Sequence, residues 1–157
     1  MRRLERVITD RGELLRIAKK SEYAVMSMAD GDRPYAVPMN VIYEGEYFYA
    51  HCADNGKKLT VLKANPNVVL TFVTDTAVVN AKTGVACDLT MHYRSVCVTG
   101  TADIITQNSD PAAHLHALDC FGARYGLSAI PAGAPVLART TVIRILPRML
   151  TGKKNTG

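Results

Sequence analysis

Along most of this chain apolar and polar residues alternate, or apolar ones run together in short bursts, and turn-forming residues interrupt them at close intervals. The first periodic stretch is helical. Asp10, with Glu13 three residues on, forms a capping-box-like start, and Leu14, Leu15, Ile17 and Ala18 then put one apolar face on the body. From residue 21 the period shortens to two: 21–28 reads as a strand through Tyr23, Val25, Met26 and Met28, and 29–32 is a turn. A second strand over 34–43 carries Tyr35, Val37, Met39, Val41 and Tyr43 on one alternation and Ala36, Pro38, Asn40 and Ile42 on the other. Pro38 has no N–H to donate to a ladder, so a bulge or the border of a site is expected there. Glu44-Gly45-Glu46 turns the chain into a third strand, 47–51, rich in aromatic residues.

That strand breaks at Ala53-Asp54-Asn55-Gly56, and a helical pattern follows over 57–64, with Asn55 as the expected N-cap. Asn65-Pro66-Asn67 stops the helix, and 68–74 reads as a buried strand. Residues 75–90 carry no clear period, and 86–89 is expected to be a loop crossing the sheet. A long β pattern over 92–105 surrounds Gly100. The turn at 108–111 leads to a helix over 112–125, with Leu115, Leu118, Cys120 and Phe121 facing inward and Gly126 ending it. A Pro/Gly/Ala-rich loop over 127–136 precedes a last strand over 136–146. Many strands, few helices and no Gly-x-Gly-x-x-Gly after any strand predict a mainly β fold, an antiparallel barrel with peripheral helices.

Composition narrows the function classes. With 157 residues and 48% apolar content, one domain with a single core is expected over 1–157, with a flexible basic leader at 1–9 and a flexible tail at 152–157. The net charge of +5 sits at the two ends. Arg and Lys outnumber Asp and Glu by seven to three in 1–20, and Arg148, Lys153 and Lys154 face no acid in 148–157, so the body between is slightly acidic. A nucleic-acid binder needs a concentrated basic face, which this distribution does not offer. Cys52, Cys87, Cys97 and Cys120 lack the paired spacing of a zinc or redox site and read as small buried hydrophobes. No apolar run reaches membrane-spanning length, the N-terminus lacks a signal-peptide core, and a reducing cytoplasm is the expected setting.

The most specific chemistry lies at 56–58. Lysine in the first turn of a helix opposes the helix dipole unless an anion sits there, and Gly56, free backbone amides and the ammonium groups of Lys57 and Lys58 together fit a phosphate monoester. The competing reading is a helix start with solvated lysines.

The stretches RPYAVPMNVIY at 33–43, YFYAHCADNGKKLTVLKANPNVVLTF at 47–72, CDLTMHYRSVCVTGTADII at 87–105 and VIRILPRMLTGK at 142–153 together resemble the flavin-binding split-barrel family of pyridoxamine phosphate oxidase, in its order, and most of all its nitroimidazole-resistance (Nim-type) members. The resemblance implies a six-stranded antiparallel split barrel, a homodimer, and a flavin mononucleotide (FMN) in each of two clefts between subunits. It implies that Lys57 and Lys58 hold the cofactor phosphate, that Pro38, Met39 and Asn40 run beneath the isoalloxazine edge, and that His51 and Cys52 stand next to the ring. His51 is the residue expected to act on a substrate. Tyr93 and Ser95 on one strand face, with Arg94 on the other, are expected to contribute across the dimer seam. His114 and His116 lie two apart on a helix and share no face, which disfavours a metal site there.

Where the resemblance fails is informative. The chain lacks the substrate-binding ending of true pyridoxamine phosphate oxidases and finishes at Thr151-Gly152-Lys153-Lys154. The expected activity is therefore reduction of a small electron-poor acceptor such as a nitroaromatic. The alternatives are a flavin- or haem-binding module without turnover, and a deazaflavin-dependent relative.

Overall fold

The computed structural model describes residues 3–81 and 83–156. In chain order a 3-10 turn at Leu4–Arg6 leads to β1 (Val7–Ile8), α1 (Arg11–Lys20), β2 (Ala24–Asp30), β3 (Arg33–Met39), β4 (Val41–Glu44), β5 (Tyr47–Ala53) and α2 (Lys57–Ala64). There follow β6 (Asn67–Val79), a second 3-10 turn at Ala86–Asp88, β7 (Thr90–Ile105), α3 (Pro111–Arg124), a third such turn at Leu137–Arg139 and β8 (Thr140–Asn155).

All pairings are antiparallel, in one sheet of order β3-β2-β6-β7-β8-β5-β4, with β1 on the far half of β8. The two ends of this path, β3 and β4, are consecutive in the chain and joined by Asn40 alone. A sheet whose edges are one piece of chain has to roll up until those edges meet. The result is a mainly β split barrel, left open because β3 and β4 do not pair. It has eight strands instead of the expected six: the second expected strand divides at Asn40, and β1 is an addition. Pro38 stays in register opposite Val25, so the irregularity falls at Asn40 and not at the proline.

Strand alternation sorts the apolar residues into two cores. Phe48, Phe72, Met26, Leu70, Val96 and Ile145 fill the barrel, each at 1% exposure or less, and the Phe48 and Phe72 rings lie 5.6 Å apart. Burying each such side chain contributes about 1.5–3 kcal/mol. Leu14, Ile17 and Ala18 of α1 and Leu59, Val61 and Leu62 of α2 close this core. On β5 the residue between Phe48 and Ala50, Tyr49, points outward into a second core, where Ala117, Leu118 and Phe121 of α3 pack on Ile42, Val142 and Ile105. Among the described residues no helix packs on the rest of that outer face, beyond α3.

Several boundaries differ from the sequence expectation, each because of pairing partners distant in sequence. Residues 152–155 belong to β8, opposite 93–96 of β7, and Val7 and Ile8 pair with Lys153 and Gly152. Leader and tail order each other; residues 1, 2 and 157 lie outside the described residues. Asp10 caps α1 by accepting from the Glu13 amide at 2.6 Å, but the Glu13 carboxylate reaches Lys154 at 3.1 Å instead of closing a capping box. β6 continues past a register shift at 75–76 to Val79, opposite Thr90, so β6 and β7 form a hairpin and the described residues 86–89 lie at its tip instead of crossing the sheet. β8 starts at Thr140 and continues through Pro147, which stands opposite Gly100, with Arg148 the extra residue where the register shifts between Thr99 and Gly100. Among the described residues no helix is long and apolar enough to cross a membrane.

The register shift depends on Gly100. A Cβ there would stand 2.6 Å from the Leu146 carbonyl oxygen and 2.8 Å from Ile145 Cγ2. Gly100→Ala should therefore cost about 2 kcal/mol, as overpacking against backbone does, read as a lowered urea midpoint; an unchanged midpoint would show that the β7–β8 ribbon can shift to make room.

Candidate functional site

The outward alternation that places Tyr49 against α3 also places His51 there, two residues on. Its imidazole meets the Phe121 ring edge-on, with centroids 4.7 Å apart and planes at 85°. The side chain keeps an exposed side, but desolvation of the part packed in the site, and secondarily the Lys58 charge, lower its pKa below the ordinary value, which favours the neutral ring. Asn40, at the joint of β3 and β4, donates from Nδ2 to the Tyr125 hydroxyl at 2.7 Å. These side chains line one cavity of about 360 Å³, walled by Leu118 and Phe121 of α3 and by Leu127, Ile130 and Val136 of the loop that follows.

The first residues of that loop are pinned to α3. Leu127 N–H donates to the Gly122 carbonyl at 2.9 Å, and Ile130 N–H donates to the Asp119 carboxylate at 2.8 Å. His114, fully buried on α3, ties the helix to the start of β8 through a 2.8 Å hydrogen bond between Nε2 and the Thr140 carbonyl. It is a structural residue, and among the described residues no group of His, Cys, Asp and Glu could hold a metal ion.

The anion-binding expectation falls just past the C-terminal end of β5, close to His51. The N-cap of α2 is Gly56, not Asn55, at φ 125°, a conformation that L side chains rarely adopt. Asn55 turns aside to Asp54, and α2 has neither a side-chain cap nor an acid in its first turn. α1 and α3, by contrast, are capped by Asp10 and Asp110. The two lysines are not equivalent. Lys57 is exposed, pairs with Asp30 at 2.9 Å and lies over the Tyr35 ring at 4.8 Å, tying α2 to the β2–β3 hairpin. Lys58 is partly buried, has no carboxylate partner among the described residues, and acts electrostatically on His51 and Cys52. Cys52 itself points into the barrel core, where burial pushes its thiol up against the opposing pull of Lys58.

Not every expected residue joins this group. Met39 is buried in the barrel and Pro38 is exposed on the edge strand, leaving Asn40 as the member of that triplet that reaches the cavity. Tyr93, Arg94 and Ser95 lie far off. Val142 of β8 stands opposite His51 and Lys153 opposite Ser95, which separates the two groups by roughly 35 Å of strand. Arg94 faces α1, where Asp75 takes hydrogen bonds from Lys20 and, at 2.9 Å, from Arg94. Those two bonds, Lys20's first, hold the Asp75 carboxyl below its ordinary pKa. Sequence reasoning missed Tyr125 and the loop wall at 127–136, whose Pro/Gly/Ala composition carries no period; Gly126, as the end of α3, was the one signal nearby.

A family profile described as pyridoxamine 5′-phosphate oxidase matches residues 10–154. No curated protein sequence matches the chain. Among solved structures, a protein from Bacteroides thetaiotaomicron named for 5-nitroimidazole antibiotic resistance is similar over 94% of this chain and 85% of its own, at 27% identity and a TM-score of 0.79. The flavocytochrome Anf3 from Azotobacter vinelandii shares the fold over all of this chain and 72% of its own, at 22% identity and a TM-score of 0.84. An FAD- and heme-binding protein from Mycobacterium smegmatis does so over 97% and 74%, at 19% identity and a TM-score of 0.78.

The electrostatics of His51 are directly measurable. Phe121→Ala and Lys58→Ala should each raise its pKa, the former more because burial is the larger cause, as followed by NMR titration of the imidazole. Since the folded pKa lies below the unfolded one, the native state binds fewer protons, and its stability should fall as pH drops through about 6.5. His51→Gln should flatten that fall; an equally steep loss in the variant would place its origin elsewhere.

Proposed function

The chain belongs to the pyridoxamine 5′-phosphate oxidase family, and we propose that it is an FMN-dependent oxidoreductase that reduces a small electron-poor acceptor such as a nitroaromatic. The observation that carries this reading is the arrangement around β5 and α2: an uncapped helix start with Lys58 beside it, and His51 facing a cavity on the same segment. A phosphate monoester fits that helix start, because first-turn amides, Gly56 and a partly buried lysine without a carboxylate partner all favour an anion there.

A bound flavin would supply the electron chemistry, taking reducing equivalents from a donor and handing them to the acceptor. The protein's part is pose and access. Lys58 and the first-turn amides hold the phosphate, with Lys57 adding charge as far as Asp30 leaves it free. The backbone of Pro38, Met39 and Asn40 runs beneath the ring, Cys52 supports the adjoining strand end, and neutral His51 contacts the acceptor. Tyr93, Arg94 and Ser95 reach the same cofactor only from a second copy of the chain, given their distance from His51.

A homodimer would also cover two otherwise bare surfaces. One is the helix-free outer sheet face, where Val25, Thr71, Cys97 and Thr151 lie opposite one another across four strands. The other is the hairpin end with exposed Val78, Val85, Leu89 and Met91.

Three measurements test the reading. The purified protein reconstituted with FMN should show flavin absorption bands and sediment as a dimer; a lone Soret band after reconstitution with haem, with no FMN uptake, would overturn it. Lys58→Ala should weaken FMN binding roughly ten- to hundredfold, one charge-assisted hydrogen bond, and Lys57→Ala less. Riboflavin affinity, lacking the phosphate, should respond to neither change. His51→Ala should keep its flavin while nitroaromatic reduction slows, and a variant that turns over at the parent rate would remove His51 from the reaction.

A further inference from the structure

We infer that the cavity beneath α3 selects its ligand by charge: it admits a neutral one- or two-ring aromatic compound and rejects carboxylates and phosphates, with Asn40 and Tyr125 reading one polar group on the ring. This inference rests on the proposed reading of the cavity as the acceptor's site.

The lining contains no Lys, Arg, Asp or Glu. On α3 the Asp119 carboxylate accepts from Ile130 N–H, and the Arg124 guanidinium donates to the Lys19 carbonyl. His51, the one titratable base in the wall, is kept neutral by its surroundings. An anion entering this space would shed water and find no cation in compensation, which is strongly unfavourable. Lys58, which acts on His51, is not part of the wall and in the proposed reading serves the phosphate.

Shape and polarity narrow the ligand further. About 360 Å³ lies at the small end of ligand pockets, room for one or two rings. Leu118, Phe121, Leu127, Ile130 and Val136 make the wall largely apolar, as the faces of a flat ring require. The Asn40–Tyr125 hydrogen bond uses one amide proton and one phenol lone pair. The phenolic proton and the Asn40 carbonyl oxygen remain to serve a ligand, one as donor and one as acceptor. A nitro or ring-carbonyl oxygen can take the first, and a ring N–H can serve the second. A phosphate-bearing substrate is excluded from this cavity by the same reasoning.

The test uses a matched pair, methyl 4-nitrobenzoate and 4-nitrobenzoate, which differ chiefly in charge. Their dissociation constants are measured by calorimetry on the flavin-free and flavin-loaded protein. The neutral ester should bind at least tenfold tighter in both forms. Val136→Lys, at an exposed position on the cavity rim, should bring a cation into the wall and narrow or reverse that ratio by about tenfold. Tyr125→Phe should weaken the ester severalfold and leave nitro-free toluene unaffected. Equal affinity for ester and anion, a ratio untouched by Val136→Lys, or loss of ester binding on flavin loading would each overturn the inference. Flavin content is read separately from absorbance. A protein that takes up no flavin overturns the proposed function while the charge ratio still stands or falls on its own.

Discussion

Residues 33–44 form both edges of the same sheet, and the rest of the structure follows from that connection. β3 and β4 sit at opposite ends of a seven-strand path yet are separated only by Asn40. The sheet has to close around an interior for the chain to be continuous, and the interior so formed is what buries Phe48, Phe72 and Met26. The joint itself is a point where the ladder stops. Its side chain is released from strand pairing and reaches Tyr125, eighty-five residues away in sequence. A break in hydrogen bonding that the barrel needs for its geometry thus becomes part of the wall of a cavity.

The second consequence is a division of labour on the outer face. β5 alternates Phe48 and Ala50 inward with Tyr49 and His51 outward, and α3 covers the outward residues only at this end of the sheet. Beyond α3 the outer face is a row of small and β-branched residues, which pack well against another flat surface and poorly against water. One end of the sheet is therefore shaped by the chain's own helix. At the other end no helix among the described residues packs on that face.

Charge placement around α2 shows how similar residues acquire different roles. Lys57 and Lys58 are adjacent in sequence, so helical rotation turns them about 100° apart. One then meets Asp30 and Tyr35 on the β2–β3 hairpin, and the other stays partly buried beside His51 without a carboxylate. The same logic separates His51 from Cys52, since consecutive strand residues face opposite sides. One borders the cavity and the other joins the barrel core.

What the sequence determined by itself were features with a local physical cause. The α2 boundaries at Lys57 and Ala64, the Asp10 cap, the inward positions Leu118 and Phe121 of α3 and the alternation through Tyr35, Val37 and Met39 all follow from periods and capping chemistry contained within a few residues. The mainly β class followed from the same signals. The tertiary structure decided everything that needs a partner far along the chain. Residues 152–155 are a strand because 93–96 lies opposite them, and Val7 and Ile8 are one because 152–153 offers its free edge. The division at Asn40 depends on which strands β3 and β4 each join, and the loop at 127–136 becomes a cavity wall only through Asp119 and α3. Strand pairing and cavity formation are contacts between segments, and a local pattern specifies which face a residue shows without specifying what will stand across from it.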